Sequence, residues 1–241
     1  MPGDVRAVGR AGRVFAWAGG AVFAAALLYF LYSYLFRFRA AAAAEPAVLP
    51  VTFDVALFSV FALHHSLFAR THAKAWLTRI LPAPLERSVY AWTASLLFIV
   101  VCAAWELVPG EFYTVQGPVR TAAYLAQLAA IVMTARASAV LDVLDLAGIR
   151  NVVGARPESG PTTLKTTGLF GFVRHPLYFA WALFVFGTPD MTGTRLVFAL
   201  VSCAYVMIAI PWEERALVAV FGRAYDAYRA RVRWRMIPFV Y

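Results

Sequence analysis

Two polar clusters interrupt the last third of an otherwise apolar chain. The first reads Arg174-His175-Pro176-Leu177-Tyr178; the second starts at Glu213-Glu214-Arg215 and runs on to Phe221-Gly222 and Tyr225. Proline costs no hydrogen bond in the first turn of a helix, so the first cluster predicts a helix starting at Pro176 with His175 at its cap. Free backbone amides at that start, beside the charge of Arg174, would stabilise a carboxylate or phosphate. Neighbours on a helix point about 100° apart, so one glutamate can face a ligand while the other pairs with an arginine. Each cluster also has a plainer reading: an arginine snorkelling to lipid headgroups, and an acidic first turn of a solvated helix.

The elements that must position these groups follow from hydropathy. Of 241 residues, 62% are hydrophobic and 15% charged, and the mean hydropathy is +0.68. So little polar surface cannot cover a soluble domain of this size, so the bilayer is the expected solvent. Apolar runs fall at about 14–36, 48–69, 88–108, 119–141, 176–189 and 194–212. Crossing a ~30 Å hydrocarbon core takes ~20 helical residues. The first four runs are long enough, the fifth is short and interrupted by Gly187 and Pro189, and the sixth is marginal. The expectation is an all-α, polytopic membrane helical bundle of about six spans, the last two forming a hairpin joined at residues 188–193. Strands are not expected, because the alternation of a lipid-facing barrel is absent. Residues 213–230 predict an amphipathic helix with Leu217, Val218, Phe221, Tyr225 and Tyr228 as its stripe. Residues 1–47 read as an anchor and loop rather than a cleaved leader, since the apolar run is long and stopped by Arg37 and Arg39. The whole chain, 1–241, reads as one domain.

A hairpin returns its chain to the side it left, which brings the two clusters to one membrane edge. Lysines and arginines say which. With a cytoplasmic N-terminus and six spans, seventeen of the twenty-two Lys and Arg fall inside and four outside, Arg37, Arg39, Arg120 and Arg195. Arg136 lies within span four. Both termini are therefore expected on the cytoplasmic side of a bacterial inner membrane, and the net charge of +9 needs no nucleic acid. His64-His65 at the end of span two and Arg136 late in span four lie at the same side and join the candidates, although a histidine near the surface is often only packing. Cys102 and Cys203 sit mid-run as small core residues. Adjacent histidines make a poor chelate and there are no matching carboxylates, so no metal is expected. A dinucleotide-binding glycine motif, a P-loop and a Gly-x-Ser-x-Gly elbow are all missing.

The stretch from Thr162-Thr-Leu-Lys-Thr-Thr-Gly-Leu-Phe through Arg174-His-Pro-Leu-Tyr178 to Glu213-Glu-x-x-Leu-x-x-x-Phe-Gly-x-x-Tyr-x-x-Tyr resembles the isoprenylcysteine carboxyl methyltransferase family. The N-terminal half, with His65-Ser-Leu-Phe-Ala-Arg70, Trp76-Leu-Thr-Arg-Ile-Leu-Pro82, Glu86-Arg-Ser-Val-Tyr90 and Thr188-Pro-Asp-Met-Thr192, resembles bacterial methanethiol S-methyltransferases and the related NnrU-type proteins. The resemblance implies an integral membrane methyltransferase using S-adenosylmethionine, with residues 162–238 as its cofactor-binding part. It implies cofactor contacts from Leu164, Lys165, Phe170, His175, Tyr178 and Glu213. Arg174 is the expected catalytic cation, and His65 and Arg136 the expected substrate-side groups, because nearby positive charge favours a thiolate. The prenylcysteine enzymes carry a substrate-binding arginine four residues before this glutamate; here Ala209 stands there. That departure favours a small thiol over a carboxylate acceptor, with a lipophilic acceptor as the alternative. The methanethiol enzymes read Asn-His-Phe-Asp-Leu-Phe-Gly where this chain reads Asp142-Val-Leu-Asp-Leu-Ala-Gly148, without the histidine. The rivals are a sterol-type membrane reductase and a non-catalytic NnrU-like accessory protein.

Overall fold

The computed structural model describes residues 8–40, 46–68, 77–154 and 163–241. Arg70, Trp76 and Thr162 of the motifs lie outside these residues. Among the described residues, five helices are long and apolar enough to cross a membrane. They are α1 (Arg10–Tyr32, continued by a π-helical turn Ser33–Arg37), α2 (Val48–Phe68), α3 (Glu86–Ala104, entered by a 3-10 turn at Ala83–Leu85), α4 (Gly117–Leu141) and α8 (Gly193–Phe221). Between α4 and α8 come the short α5 (Val143–Leu146) and α6 (Arg150–Val153), then α7 (Pro176–Phe186); α9 (Arg223–Arg231) follows α8. Large apolar side chains such as Leu28, Leu49 and Ile208 are left uncovered along the long helices, as lipid-facing positions should be. The chain is a multi-pass, all-α membrane protein.

The expected fifth span takes another form. Eleven residues of α7 extend only ~16 Å, about half a bilayer core. The chain turns at Gly187 and enters β2 (Asp190–Thr192), which pairs antiparallel with β1 (Glu111–Thr114). These strands correct the expectation that none would form. Backbone at membrane depth must have its polar groups satisfied, and here it is. Tyr34 Oη donates to Val185 O, Gln127 Nε2 to Phe184 O at 3.2 Å, and Tyr113 Oη to Phe186 O and Thr188 O, both at 3.2 Å. Gly193 is required at the entrance to α8, because a Cβ there would lie 2.2 Å from Pro109 O.

A second correction concerns α8. It runs unbroken through Pro211 and the Glu213-Glu214 pair to Phe221, where a helix boundary was expected after 212. The break comes at Gly222, whose φ of +54° is a left-handed conformation that favours glycine. The expected apolar stripe survives the break: Tyr225, Tyr228 and Val232 bury together against Leu217, Val218, Phe221 and Leu164.

The chain forms two compact units. The first comprises Met1–Tyr32, Ser59–Ala104 and Leu141–Gly160. In it α1 packs along α3; Gly19 leaves room for Trp92, whose Nε1 donates to Phe15 O at 3.0 Å. The α5–α6 segment docks on the start of α3 through the Arg87–Asp145 ion pair at 3.1 Å and the close approach of Gly148 to the backbone of Arg87 and Ser88. The second unit comprises Ser33–Phe58, Trp105–Val140 and Pro161–Tyr241. Its core is aromatic, with Phe198 of α8 against Tyr34, Phe38, Phe58, Trp105 and Trp181 at ring distances of 5.0–6.2 Å. Arg195 is buried in the first turn of α8 and donates to the carbonyls of Tyr34, Leu35 and Asp190.

Candidate active site

The start of α7 and the middle of α8 meet within the second unit, and the two polar clusters meet with them. Pro176 opens α7 with His175 as its cap, as the sequence predicts. The His175 imidazole is buried and sits between the two carboxylates. Its Nδ1 is 3.5 Å from Glu213 Oε2, and its Nε2 is 3.5 Å from Glu214 Oε1. Tyr178, one turn on, stacks on the imidazole with centroids 5.5 Å apart and planes 10° apart. Its hydroxyl donates to Glu213 Oε1.

The two glutamates divide their work as their ~100° separation allows. Glu214 is buried and takes Arg174 Nε at 2.6 Å on Oε1 and Arg235 Nε at 3.4 Å on Oε2. Glu213 keeps 44% of its side chain exposed and is the carboxylate a ligand can reach. Arg174 is 7% exposed and heavily engaged: besides Glu214, its NH1 donates to Val232 O at 2.7 Å and Arg233 O at 2.9 Å.

The amides just before the helix start are taken: Arg174 and His175 donate to Trp234 O at 2.9 Å and Arg235 O at 2.8 Å. The segment after α9 therefore runs alongside the start of α7.

The loop before α7 is tied to α9. Tyr228 Oη donates to Phe170 O at 2.7 Å, Leu164 packs on the Tyr225–Tyr228–Val232 cluster, and Lys165 is exposed on the same loop. Burial pushes the Tyr228 phenol up to about 12, and burial together with the Glu214 carboxylate pushes the Tyr225 phenol up as well. Leu164, Lys165, Phe170, Arg174, His175, Tyr178 and Glu213 therefore all lie on the elements that build this site. Arg136 is exposed on α4 in the same unit and makes no hydrogen bond or ion pair among the described residues. His65 belongs to the first unit, where its Nδ1 lies 2.9 Å from Tyr90 Oη and its ring stacks on Phe61. Sequence reasoning missed Arg235 and the carbonyls of residues 232–235, and it gave Glu214 no defined partner. For Glu214 a signal existed in its adjacency to Glu213. Nothing in a lone arginine after α9 marked Arg235.

The arrangement offers a reachable carboxylate, a stacked imidazole–phenol face and a cation-bound second carboxylate. It suits a ligand with a positive or hydroxyl-rich end and a flat or apolar portion. No family model matches the chain, and no solved structure matches it. Curated proteins do. A methanethiol S-methyltransferase of Crocosphaera subtropica is 36% identical over 199 residues, covering 81% of this chain and 78% of that protein. One of Mycobacterium tuberculosis is 32% identical over 196 residues, covering 79% and 80%. A protein-S-isoprenylcysteine O-methyltransferase of Schizosaccharomyces pombe is 36% identical over 72 residues, 29% of this chain. Similarity of this extent across both chains, on a membrane scaffold whose matched clusters converge, places the protein in the methanethiol S-methyltransferase family of enzymes.

Proposed function

We propose that the protein transfers a methyl group from S-adenosylmethionine to a small thiol, at the cytoplasmic face of a bacterial inner membrane. The observation that carries this reading is the placement of Glu213, His175 and Tyr178. When bound, S-adenosylmethionine supplies an electrophilic methyl group for in-line displacement by a thiolate sulfur. Glu213 would hold the ammonium or the ribose hydroxyls of that group. The stacked His175 and Tyr178 rings would offer an aromatic surface to the remainder, a surface that also favours cationic charge. Leu164, Lys165 and Phe170 would close the site from the preceding loop. Arg174 enters as a positioning residue rather than as the catalytic cation expected from its charge, because its guanidinium is already bound to Glu214 and two carbonyls.

The small-thiol acceptor is supported by the names of the relatives and by Ala209. This residue lies one turn before Glu213 on α8 and offers no charge to a substrate carboxylate. Arg136, exposed on α4 of the same unit as Glu213, remains the proposed source of positive field on the thiol side. The cytoplasmic placement is supported by the asymmetry of Lys and Arg across the loops. The test is to supply methyl-labelled S-adenosylmethionine to the purified protein with a panel of small thiols, prenylcysteines and phospholipids. Label in a small thioether is the expected result; label only in lipid or prenylcysteine, or none at all, overturns it.

A further inference from the structure

The ten residues Val232–Tyr241 follow α9 without forming helix or strand, yet they fold back across the start of α7. Two consecutive amides, Arg174 and His175, donate to two consecutive carbonyls, Trp234 and Arg235. Arg174 NH1 adds bonds to Val232 O and Arg233 O. The segment closes on itself: the amides of Met236 and Ile237 donate to Tyr241 O at 2.8 and 3.0 Å, and the Tyr241 amide returns to Ile237 O at 2.9 Å. Met236 is fully buried beneath it. Arg235 is held from the same loop, its NH1 donating to Tyr241 Oη at 3.1 Å with its guanidinium 5.2 Å from the Tyr241 ring centroid.

We infer that Arg235 is a positioning residue of the methyl-transfer site, fixing the His175 imidazole through Glu214 and through its own carbonyl. The inference rests on the proposal that His175 contacts the cofactor. Glu214 has two oxygens and both are spoken for. Oε1 carries Arg174 and faces His175 Nε2; Oε2 faces Arg235. With Oε2 held, the carboxylate cannot rotate away from the imidazole. The backbone bond from His175 to Arg235 O fixes the same residue from its other side. Arg174 and Arg235 differ in one respect that makes the idea testable. Arg174 is buried, so removing it strands the Glu214 charge. The Arg235 side chain is 36% exposed, so removing it leaves Glu214 paired with Arg174 and strands no buried charge. Its loss should disturb orientation more than folding.

The experiment compares the full-length protein with Arg235→Ala and Arg235→Lys, purified in the same lipid nanodiscs. S-adenosylmethionine binding is followed by calorimetry, steady-state turnover with methanethiol by product formation, and melting by tryptophan fluorescence. The expected result for Arg235→Ala is cofactor binding weakened about tenfold or more, typical of losing a group that orients a ligand-contacting side chain. The cofactor KM should rise while the acceptor KM and the melting temperature hold, and Arg235→Lys should recover part of the affinity. If the wild type binds S-adenosylmethionine and Arg235→Ala binds it equally well, the inference fails and the proposed function stands. If affinity falls only in step with melting temperature and lysine restores neither, Arg235 is structural and the inference also fails. A wild type that binds no S-adenosylmethionine overturns the proposed function itself, and the inference with it.

Discussion

Glu213 and Glu214 share a sequence neighbourhood but not an environment. Glu214 is 7% exposed and gripped by two arginines, whereas Glu213 is 44% exposed and touched by Tyr178. Their neutral variants should therefore fail differently. Glu213→Gln removes the reachable charge and should weaken S-adenosylmethionine binding by roughly 10- to 100-fold, the ~1.5–3 kcal/mol of a hydrogen bond to a charged group, with melting little changed. Glu214→Gln leaves the buried Arg174 without its counter-charge, and Arg174→Ala does the reverse; removing one partner of a buried pair costs about 3–5 kcal/mol. Both should appear as lost thermal stability before any specific kinetic defect, and thermal melts beside calorimetric titrations separate the two classes. An unchanged melt for Arg174→Ala would mean that the pair is dispensable. Glu213 was legible as a candidate ligand group in the sequence through its matching motif. The special dependence of Glu214 was not, because it is created by burial and by Arg235, which arrives from a segment with no pattern of its own.

At the scale of elements, the α8–α9 break and the tyrosine cluster invite two measurements. Gly222 has φ +54° and open space where a Cβ would stand. Gly222→Ala should cost about 1–2 kcal/mol from backbone strain alone, with no steric clash to relieve, as read in a thermal melt. The second measurement is of pH. The Tyr228 phenol is raised from 10.0 to about 12 in the folded protein. A raised phenol means the folded state holds its proton more tightly than the unfolded chain does. Its contribution is thus complete below about pH 10 and is lost as pH climbs from 10 toward 12. Alkaline titration should release the loop at Phe170 in that window, seen as phenolate absorbance rising together with loss of cofactor affinity. Tyr228→Phe should already lack the bond to Phe170 O and show a smaller change. The stripe Leu217–Phe221–Tyr225–Tyr228 was readable from its spacing because three- and four-residue steps survive the break at Gly222. The location of the break was not, because a glycine beyond an apolar run and a proline within it compete as stop signals, and here the helix ran through Pro211.

For the whole molecule, membrane orientation is the property that the asymmetry of Lys and Arg addresses. A single cysteine introduced at Lys165, in a chain with Cys102 and Cys203 replaced by alanine, should react with an impermeant maleimide only when the inner face of sealed vesicles is exposed. Reaction from the outer face of intact cells would reverse the proposed topology. The four long helices before residue 142 were legible because each carries enough apolar residues to cross alone. The fifth apolar run was legible as short but not as a helix that stops at Phe186 and leads into a strand. That early stop is satisfied by Tyr34, Tyr113 and Gln127, which are ordinary residues in three separate segments.

Those three side chains have a consequence at the other end of α7. They clamp its final carbonyls, so the helix behaves as a rod about 16 Å long pinned at both ends, by these side chains at the tip remote from the chemistry and by the Arg235 carbonyl at His175. The rotational phase of His175 is thus dictated in part from outside the site. One residue inserted in α7 would swing the imidazole about 100° off both carboxylates, while changes at Tyr34 or Gln127 would detune it without touching any residue that meets a ligand.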